Sequence, residues 1–98
     1  MPLTSKQRAQ LRALANPIDT VLMVGKSGFS EQLYKTADEA ITARELIKGK
    51  VLEACEYTAR EAADTIAEEI GADVVQVIGS KFVLYRKNKK DPKIKLVK

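Results

Sequence analysis

The sequence of 98 residues contains no histidine and only one cysteine, Cys55. Histidine is the commonest general base in enzymes and the commonest metal ligand in proteins, so its absence argues against both acid–base catalysis and a metal site. A single cysteine cannot form an internal disulfide, and without a histidine it lacks the partner of a thiol nucleophile or a zinc site. We therefore expect no enzyme, no cofactor and no metal, and we interpret Cys55 as a small packing residue.

Long hydrophobic runs are also missing. No apolar segment approaches the roughly 20 residues that a bilayer-spanning helix requires. Residues 1–16 have the pattern of a charged amphipathic helix, not the basic head and apolar centre of a signal peptide. These absences predict a cytoplasmic protein that contacts no membrane. With 45% hydrophobic and 31% charged residues, the chain is expected to fold as one domain over 1–98.

Positive charge is concentrated in one part of the chain. The net charge is +4, but residues 81–98 alone carry eight basic side chains against one acid. Residues 53–73 carry seven acids against one base. A protein with this distribution has no uniform cationic coat, so a polyanion would have to bind one selected face.

The most informative motif is a G-x-x-G loop at 25–28, between a short apolar strand and a predicted helix. Gly25 and Gly28 tolerate a positive φ and have no Cβ to keep a ligand from the backbone. Ser30 is a suitable N-cap for the helix, whose first N–H groups would point at the loop. Together with Lys26 and the helix dipole, these donors suit a phosphate, although two glycines can also simply form a tight turn.

Two nucleotide-binding motifs are excluded. Gly25-Lys26-Ser27 matches the end of a Walker A loop, but that motif has another glycine five residues before Gly25, where this chain has Thr20. The dinucleotide-binding pattern G-x-G-x-x-G is absent as well. The loop is therefore predicted to hold a phosphate backbone without hydrolysing a nucleotide.

The remaining pattern predicts helices and strands in the order α-β-α-β-α-β-β. Capping boxes at Thr4–Gln7 and Thr58–Glu61 begin the first and third helices, and Gly71 is placed to end the third. The inward face of the first helix is predicted to comprise Leu11, Leu14 and Ala15. Strands are predicted at 21–24, 45–52, 74–78 and 82–86, with the last two paired as an antiparallel hairpin around 79–81. This order indicates a compact α/β sandwich on a four-stranded mixed sheet.

The second strand is predicted to have one cationic face. Its alternation places Ile47, Gly49 and Val51 on one side, and Lys48 and Lys50 on the other. A glycine inside a strand contributes no packing and usually marks a bulge or a close approach. Residues 87–98 then form a basic segment, for which we consider two states: a flexible tail, or a short edge strand through its few apolar residues, Ile94 and Leu96.

Six blocks of the sequence resemble the CRM domain family, in particular its bacterial stand-alone form, the YhbY family. They occur in the family's order and span nearly the whole chain: Leu3–Gln7, Leu14–Pro17, Gly25–Gly28, Glu45–Lys48, Val75–Gly79 and Val83–Arg86. The resemblance implies RNA binding, a fold like the C-terminal domain of a bacterial translation initiation factor, and association with precursors of the large ribosomal subunit. It also implies plant relatives that act in intron splicing.

Two positions depart from the family pattern. Asn16 stands where the family often has histidine, and Gly49 stands where a β-branched apolar residue is usual. Neither position touches the loop. Replacing a packed valine by Gly49 is expected to weaken the second strand by about 1 kcal/mol or more.

We predict a non-enzymatic, monomeric protein that binds ribosomal RNA in large-subunit precursors and takes no small-molecule substrate. The resemblance implies that Gly25–Gly28 forms the RNA-binding loop and that Lys26 adds a cationic contact. N–H groups near Ser27 and Gly28 would bind a phosphate, and Gly28→Asp is expected to lower RNA affinity at a nearly unchanged melting temperature. Further candidate phosphate contacts are basic residues elsewhere in the chain: Arg8, Arg12, Lys48, Lys50, Arg86 and the tail.

Two alternatives remain at this point. Base stacking is a minority hypothesis because the spacing of the aromatic residues fits core packing, with Tyr85, beside the basic tail, as the best exception. The main rival function is a protein-interaction module that docks on a ribosomal protein or assembly factor. It would use the acidic outer face of the third helix, formed by Glu61, Asp64, Glu68 and Glu69.

Overall fold

The computed structural model describes residues 3–98. Its elements are α1 Ser5–Ala15, β1 Thr20–Val24, α2 Glu31–Arg44, β2 Leu46–Val51, α3 Ala59–Ile70, β3 Asp73–Ile78 and β4 Lys81–Tyr85. The strands form one sheet in the order β1-β2-β4-β3. The β1–β2 pairing is parallel, and the other two pairings are antiparallel. The predicted element order and the four-stranded mixed sheet are confirmed.

The predicted helix ends are confirmed because their capping groups find partners. Thr4 and Thr58 each accept a hydrogen bond from the N–H three residues later, and Gln7 and Glu61 each accept one in return. Gly71 ends α3 in the left-handed conformation, at a φ of 69°. Local hydrogen bonding within a few residues therefore determines where these helices begin and end.

The sheet separates two apolar clusters. The larger cluster lies between the sheet and helices α2 and α3, and Ile41 and Phe82 are among its buried members. The smaller cluster lies on the other face, where Leu11 and Ala15 of α1 pack against the strands. Leu14, predicted to share this inward face, is 43% exposed. The predicted inward face of α1 was too wide. The helix contacts the sheet through Leu11 and Ala15, and Leu14 lies at the margin of this contact.

The glycine in β2 is explained by the ring opposite it. Gly49 and Phe82 are cross-strand partners between β2 and β4. A Cβ on Gly49 would lie 2.3 Å from Cζ of Phe82 and 2.5 Å from Cε2, closer than packed atoms approach. The expected packing loss in β2 is therefore wrong, because the buried Phe82 ring supplies the missing volume.

Residues 87–98 form neither a helix nor an edge strand, which was one of the two states considered for them, and they pack on the domain. Ile94 and Leu96 join the smaller apolar cluster. The side chain of Gln10 donates to the carbonyl of Lys95 and accepts from the N–H of Val97, both at 2.8 Å. The segment, hereafter the tail, is thus bound by side chains of α1 and not by a strand of the sheet.

Glu45 binds the tail between Asn88 and Ile94 from inside the protein. The residue is fully buried and has a φ of 64°, the one positive value among non-glycine residues of the described chain. Its Oε2 accepts a hydrogen bond from the N–H of Asn88 at 2.8 Å, and its Oε1 accepts from the N–H groups of Lys93 and Ile94. Burial alone would raise the pKa of Glu45, but these bonds and the Lys93 charge outweigh burial and hold the pKa below its ordinary value.

Candidate functional site

The G-x-x-G segment forms a turn directly after β1. The N–H of Gly28 donates to the carbonyl of Gly25 at 3.0 Å, and Gly28 has a φ of 67°. Lys26 and Ser27 occupy the exposed tip. Within residues 3–98, the backbone N–H groups of these two residues have no backbone acceptor. The tip therefore presents two amide donors beside an ammonium group, an arrangement that suits phosphate oxygens.

Two expectations about Gly28 need correction. Its own N–H is used inside the turn, so the donors at the tip are those of Lys26 and Ser27. A side chain at Gly28 would also be strained, because its φ of 67° lies in the left-handed region that favours glycine. We therefore expect Gly28→Asp to lower the melting temperature as well. A Cβ on Gly25 would only reach ordinary contact with Leu52, at 3.6 Å.

The connection between β2 and α3 supports this turn. The N–H of Leu52 donates to the carbonyl of Val24 at 2.9 Å, which extends the β1–β2 pairing up to the turn. The side chain of Leu52 lies beside Gly25, and the ring of Tyr57 lies beside Gly28. Both glycines are thus positioned by side chains that are more than 20 residues away in the sequence.

Ser30 begins α2 next to the turn, as predicted. Its side chain accepts a hydrogen bond from the N–H of Leu33 at 3.1 Å. The cap fixes the start of a 14-residue helix, whose positive dipole end then lies close to the turn. Glu31 in the first helical turn offsets part of that positive potential.

Lys48, Lys50 and Lys81 lie on the same face of the sheet as α1. They are in the part of that face that α1 does not cover, towards the end of β2 where the turn lies. Lys50 is the cross-strand partner of Lys81 in β4, and Lys48 lies two residues before Lys50 on the same face. The row continues to Met23 of β1 and Ile78 of β3, which are 59% and 62% exposed. None of the three lysines forms an ion pair within the described part of the chain. Lys50 and Lys81 are like charges opposite each other, which destabilises a sheet. An anion bound between them would offset this repulsion, so the pair is a candidate anion site.

Lys81 is the candidate that sequence reasoning missed. We assigned it to the hairpin turn, whereas the turn consists of Gly79 and Ser80, and Lys81 is the first residue of β4. The sequence could have placed Lys81 in the strand, because a hairpin with the two-residue turn Gly79-Ser80 pairs Ile78 with Lys81. Lys48 and Lys81 also line a common pocket of about 140 Å³.

The two predicted arginines of α1 have different surroundings. Arg8 is half-buried and donates from Nη1 to the carbonyl of Val74 in β3. Arg12 is exposed in the last turn of α1 and makes no ion pair within residues 3–98. Arg12 is therefore available to a phosphate, whereas Arg8 links α1 to the edge strand β3.

Arg86 is occupied by contacts within the protein. Its guanidinium donates to the Asp38 carboxylate and to the carbonyl of Ile70, both at 2.7 Å, and to the Thr42 hydroxyl at 2.5 Å. Its side chain is 25% exposed. These bonds hold the Arg86 guanidinium against α2 and α3, so it is not free to bind a phosphate as the sequence suggested.

The sheet places the G-x-x-G turn and the basic tail at opposite ends. β2 begins at Leu46, the partner of Tyr85, after which the tail starts. It ends at Val51, the partner of Val24, after which the turn starts. A six-residue strand spans about 20 Å. The tail therefore starts at the end of β2 opposite the surface that the turn and the sheet lysines form.

Tyr85 is placed where it cannot stack with a base. It is only 3% exposed and belongs to the smaller apolar cluster. Burial, together with the nearby carboxylates of Glu45 and Asp73, raises the pKa of Tyr85. The sequence-based choice of Tyr85 as the best stacking candidate is therefore wrong.

Three other aromatic rings gather beside the turn. The ring of Phe29 is nearly parallel to that of Tyr34, and their centroids are 6.4 Å apart. The centroid of the Phe29 ring lies 4.8 Å from that of Tyr57. Partial burial and the charge of Glu69 raise the pKa of Tyr34. Tyr57 is 41% exposed, so this cluster combines a packed interior with one accessible ring.

The other candidate features have ordinary surroundings. The four acids predicted on the outer face of α3 are exposed, and Asp64 lies 3.6 Å from Arg60. Cys55 is half-buried against the larger apolar cluster, as expected of a packing residue. Across residues 3–98 there is no group of three or more His, Cys, Asp or Glu side chains placed to hold a metal ion. No helix in that range is long and apolar enough to cross a membrane.

The chain is similar to proteins of known family and fold. Residues 3–86 match the CRS1 / YhbY (CRM) domain. "Probable RNA-binding protein YqeI" of Bacillus subtilis (strain 168) is 37% identical over 94 residues, which cover 96% of this chain and 98% of that protein. "Probable RNA-binding protein PA4753" of Pseudomonas aeruginosa is 32% identical over 93 residues, which cover 95% and 89%.

The fold is also found among solved structures. The solution structure of SAV1595 from Staphylococcus aureus matches with a TM-score of 0.81 and 41% sequence identity. The match covers 98% of this chain and 100% of SAV1595. Sequence, element order and three-dimensional arrangement therefore agree, and the chain belongs to the CRS1/YhbY (CRM) domain family.

Proposed function

We propose that this chain binds RNA without catalysing a reaction, and that its target is structured ribosomal RNA in a precursor of the large ribosomal subunit. One observation carries the proposal: the amide donors of Lys26 and Ser27 lie at the same end of the sheet as Lys50 and Lys81, which form no ion pair within residues 3–98. The two relatives are named as probable RNA-binding proteins, which supports RNA as the polyanion.

In this proposal the turn positions the RNA and the lysines attract it. The amide groups of Lys26 and Ser27 hold one phosphate. Lys50 and Lys81 are opposite each other on neighbouring strands, about 5 Å apart at Cα, so their ammonium groups can reach one phosphate or two successive ones. Three neutralised phosphates would give a slope of about −3 in the logarithm of the binding constant against the logarithm of salt concentration.

The salt dependence tests which lysines bind. The double variant Lys50→Gln/Lys81→Gln is expected to bind ribosomal RNA more weakly and to lose about 2 from the magnitude of the slope. The matched control is Lys89→Gln/Lys90→Gln, which removes the same charge from the tail at the other end of the sheet. Equal losses in both variants would show that overall charge, and not this surface, drives binding.

The identity of the target is tested in cell lysates. Lysates are sedimented on a gradient at low magnesium, and the protein is followed across free, precursor and mature subunit fractions. We expect wild type with large-subunit precursors and the Gly25→Asp variant at the top of the gradient. Wild type at the top would contradict the proposed target. If Glu68→Lys/Glu69→Lys abolished association while Gly25→Asp did not, docking on a protein through α3 would be the better explanation.

A further inference from the structure

We propose that Tyr57 stacks with an unpaired nucleobase of the bound RNA. The inference rests on the proposed function and narrows its ligand: the RNA would present a bulged or single-stranded nucleotide at the turn, and not only a continuous duplex. Aromatic side chains are the usual platforms for unpaired bases in RNA recognition. Of the five aromatic residues, Tyr57 is the one with a large exposed fraction.

The ring of Tyr57 is already held in place. Its Cε2 lies 3.4 Å from the position of a Cβ on Gly28, so the ring lies against the backbone of the turn. The ring of Phe29 packs on it, with centroids 4.8 Å apart and planes tilted by 42°. The N–H of Tyr57 also donates to Sγ of Cys55 at 3.4 Å. A base stacking here would meet a ring whose ordering is largely complete before binding.

The surroundings of Tyr57 offer room for a base. An open groove of about 670 Å³ runs between the β2–α3 connection and the β3–β4 turn, and Tyr57, Leu52, Lys50 and Ser80 are among its lining residues. This volume is within the range of ligand sites in proteins. Leu52 and Tyr57 supply apolar surface for the face of a base, and Lys50 connects the groove to the sheet lysines.

The groove is lined by charges of both signs, Lys50 and Glu53, which suits a phosphate at Lys50 and an uncharged base beside Tyr57. Glu53 lines the groove, and Glu56 is exposed next to Tyr57 in the sequence. These carboxylates repel a phosphate group but not an uncharged base. The phosphates of the same nucleotides would instead lie at Lys26 and Lys50. The base and the phosphates thus have separate, adjoining positions at one end of the sheet.

Two hairpin RNAs test the inference. One carries a single bulged 2-aminopurine in its stem, and the other has the same stem without the bulge. We expect wild type to bind the bulged hairpin more tightly and to quench the 2-aminopurine fluorescence. Tyr57→Ala is expected to weaken binding of the bulged hairpin about 5- to 150-fold, the range for stacking of one base, and to leave the uninterrupted hairpin unaffected. Tyr57→Phe should bind like wild type.

Further variants separate stacking from a structural role and from the proposed function. Tyr57→Leu keeps apolar bulk without a ring, so it should show the same loss as Tyr57→Ala at a melting temperature close to that of wild type. Equal binding of both hairpins by wild type, or unchanged binding by Tyr57→Ala, would overturn the stacking proposal. If Lys50→Gln/Lys81→Gln still weakened binding in that case, RNA binding itself would stand. Failure of wild type to bind either hairpin would count against both proposals.

Discussion

The buried carboxylate of Glu45 allows a direct test of how the tail is attached. The replacement Glu45→Gln keeps the length of the side chain but removes the charge and exchanges one oxygen for an NH₂ group. Oε1 can still accept from the N–H groups of Lys93 and Ile94, whereas the NH₂ group would face the N–H of Asn88, donor against donor. The variant therefore loses one hydrogen bond and weakens two.

The size of the effect follows from the charge of the acceptor. A hydrogen bond to a charged group contributes about 1.5–3 kcal/mol, and a neutral one contributes about 1 kcal/mol. The neutral amide also costs less to bury than the carboxylate, which offsets part of the loss. We expect the attachment of the tail to weaken by about 3 kcal/mol, which raises the population with a detached tail by about 150-fold.

Limited proteolysis with trypsin measures that population. The tail contains six lysines, and cleavage requires a detached, extended chain. At low protease concentration the cleavage rate follows the open population, so Glu45→Gln should be cut in the tail about 150-fold faster than wild type. The rest of the domain should survive as one fragment, because its clusters do not depend on the tail for most of their buried residues.

The matched control is Asp91→Asn, which removes one negative charge from the tail itself. Asp91 forms only a surface pair with Lys93, at 3.5 Å, and such pairs contribute little. Its cleavage rate should stay close to wild type. Equal rates for Glu45→Gln and wild type would refute the reasoning. Simultaneous cleavage throughout the chain would also refute it, since the tail and the domain would then unfold as one unit.

Three further outcomes concern the glycines at positions 25, 28 and 49 and the pH dependence of the tail. Gly49→Val should lower the free energy of unfolding, measured by urea titration, by about 1–3 kcal/mol, because the new side chain collides with Phe82. Adding Phe82→Leu to this variant should restore part of the loss. An unchanged free energy of unfolding in Gly49→Val alone would contradict the packing. Gly28→Ala should lose about 1–2 kcal/mol in thermal unfolding, whereas Gly25→Ala should stay within about 0.5 kcal/mol, and equal losses would contradict the turn geometry. Because the folded pKa of Glu45 is lowered, its stabilisation is present above the ordinary value of 4.5 and is lost as pH falls through the folded pKa. Tail cleavage by an acid-active protease should therefore increase in that window for wild type, and an equal increase for Glu45→Gln would assign it to another group.

Features that depend on neighbouring residues could be predicted from the sequence. The capping boxes, the Ser30 cap and the left-handed Gly71 each involve groups within four residues of one another, so a short pattern contains the whole interaction. The order of elements and the mixed sheet follow from the same local patterns together with general rules of connection. The position of the G-x-x-G turn between β1 and α2 belongs to this group, and so does the cationic face of β2.

Features that depend on distant residues were decided only by the tertiary structure. The pairing of Lys50 with Lys81, and of Gly49 with Phe82, is a matter of strand register between segments about 30 residues apart. Arg86 was a reasonable phosphate ligand until its partners on α2 and α3 were known, more than 40 residues away for Asp38. Local patterns constrain backbone conformation over a few residues, whereas the neighbours of a side chain depend on how whole elements pack. The candidate RNA surface is formed by this packing, so only the tertiary structure could show it.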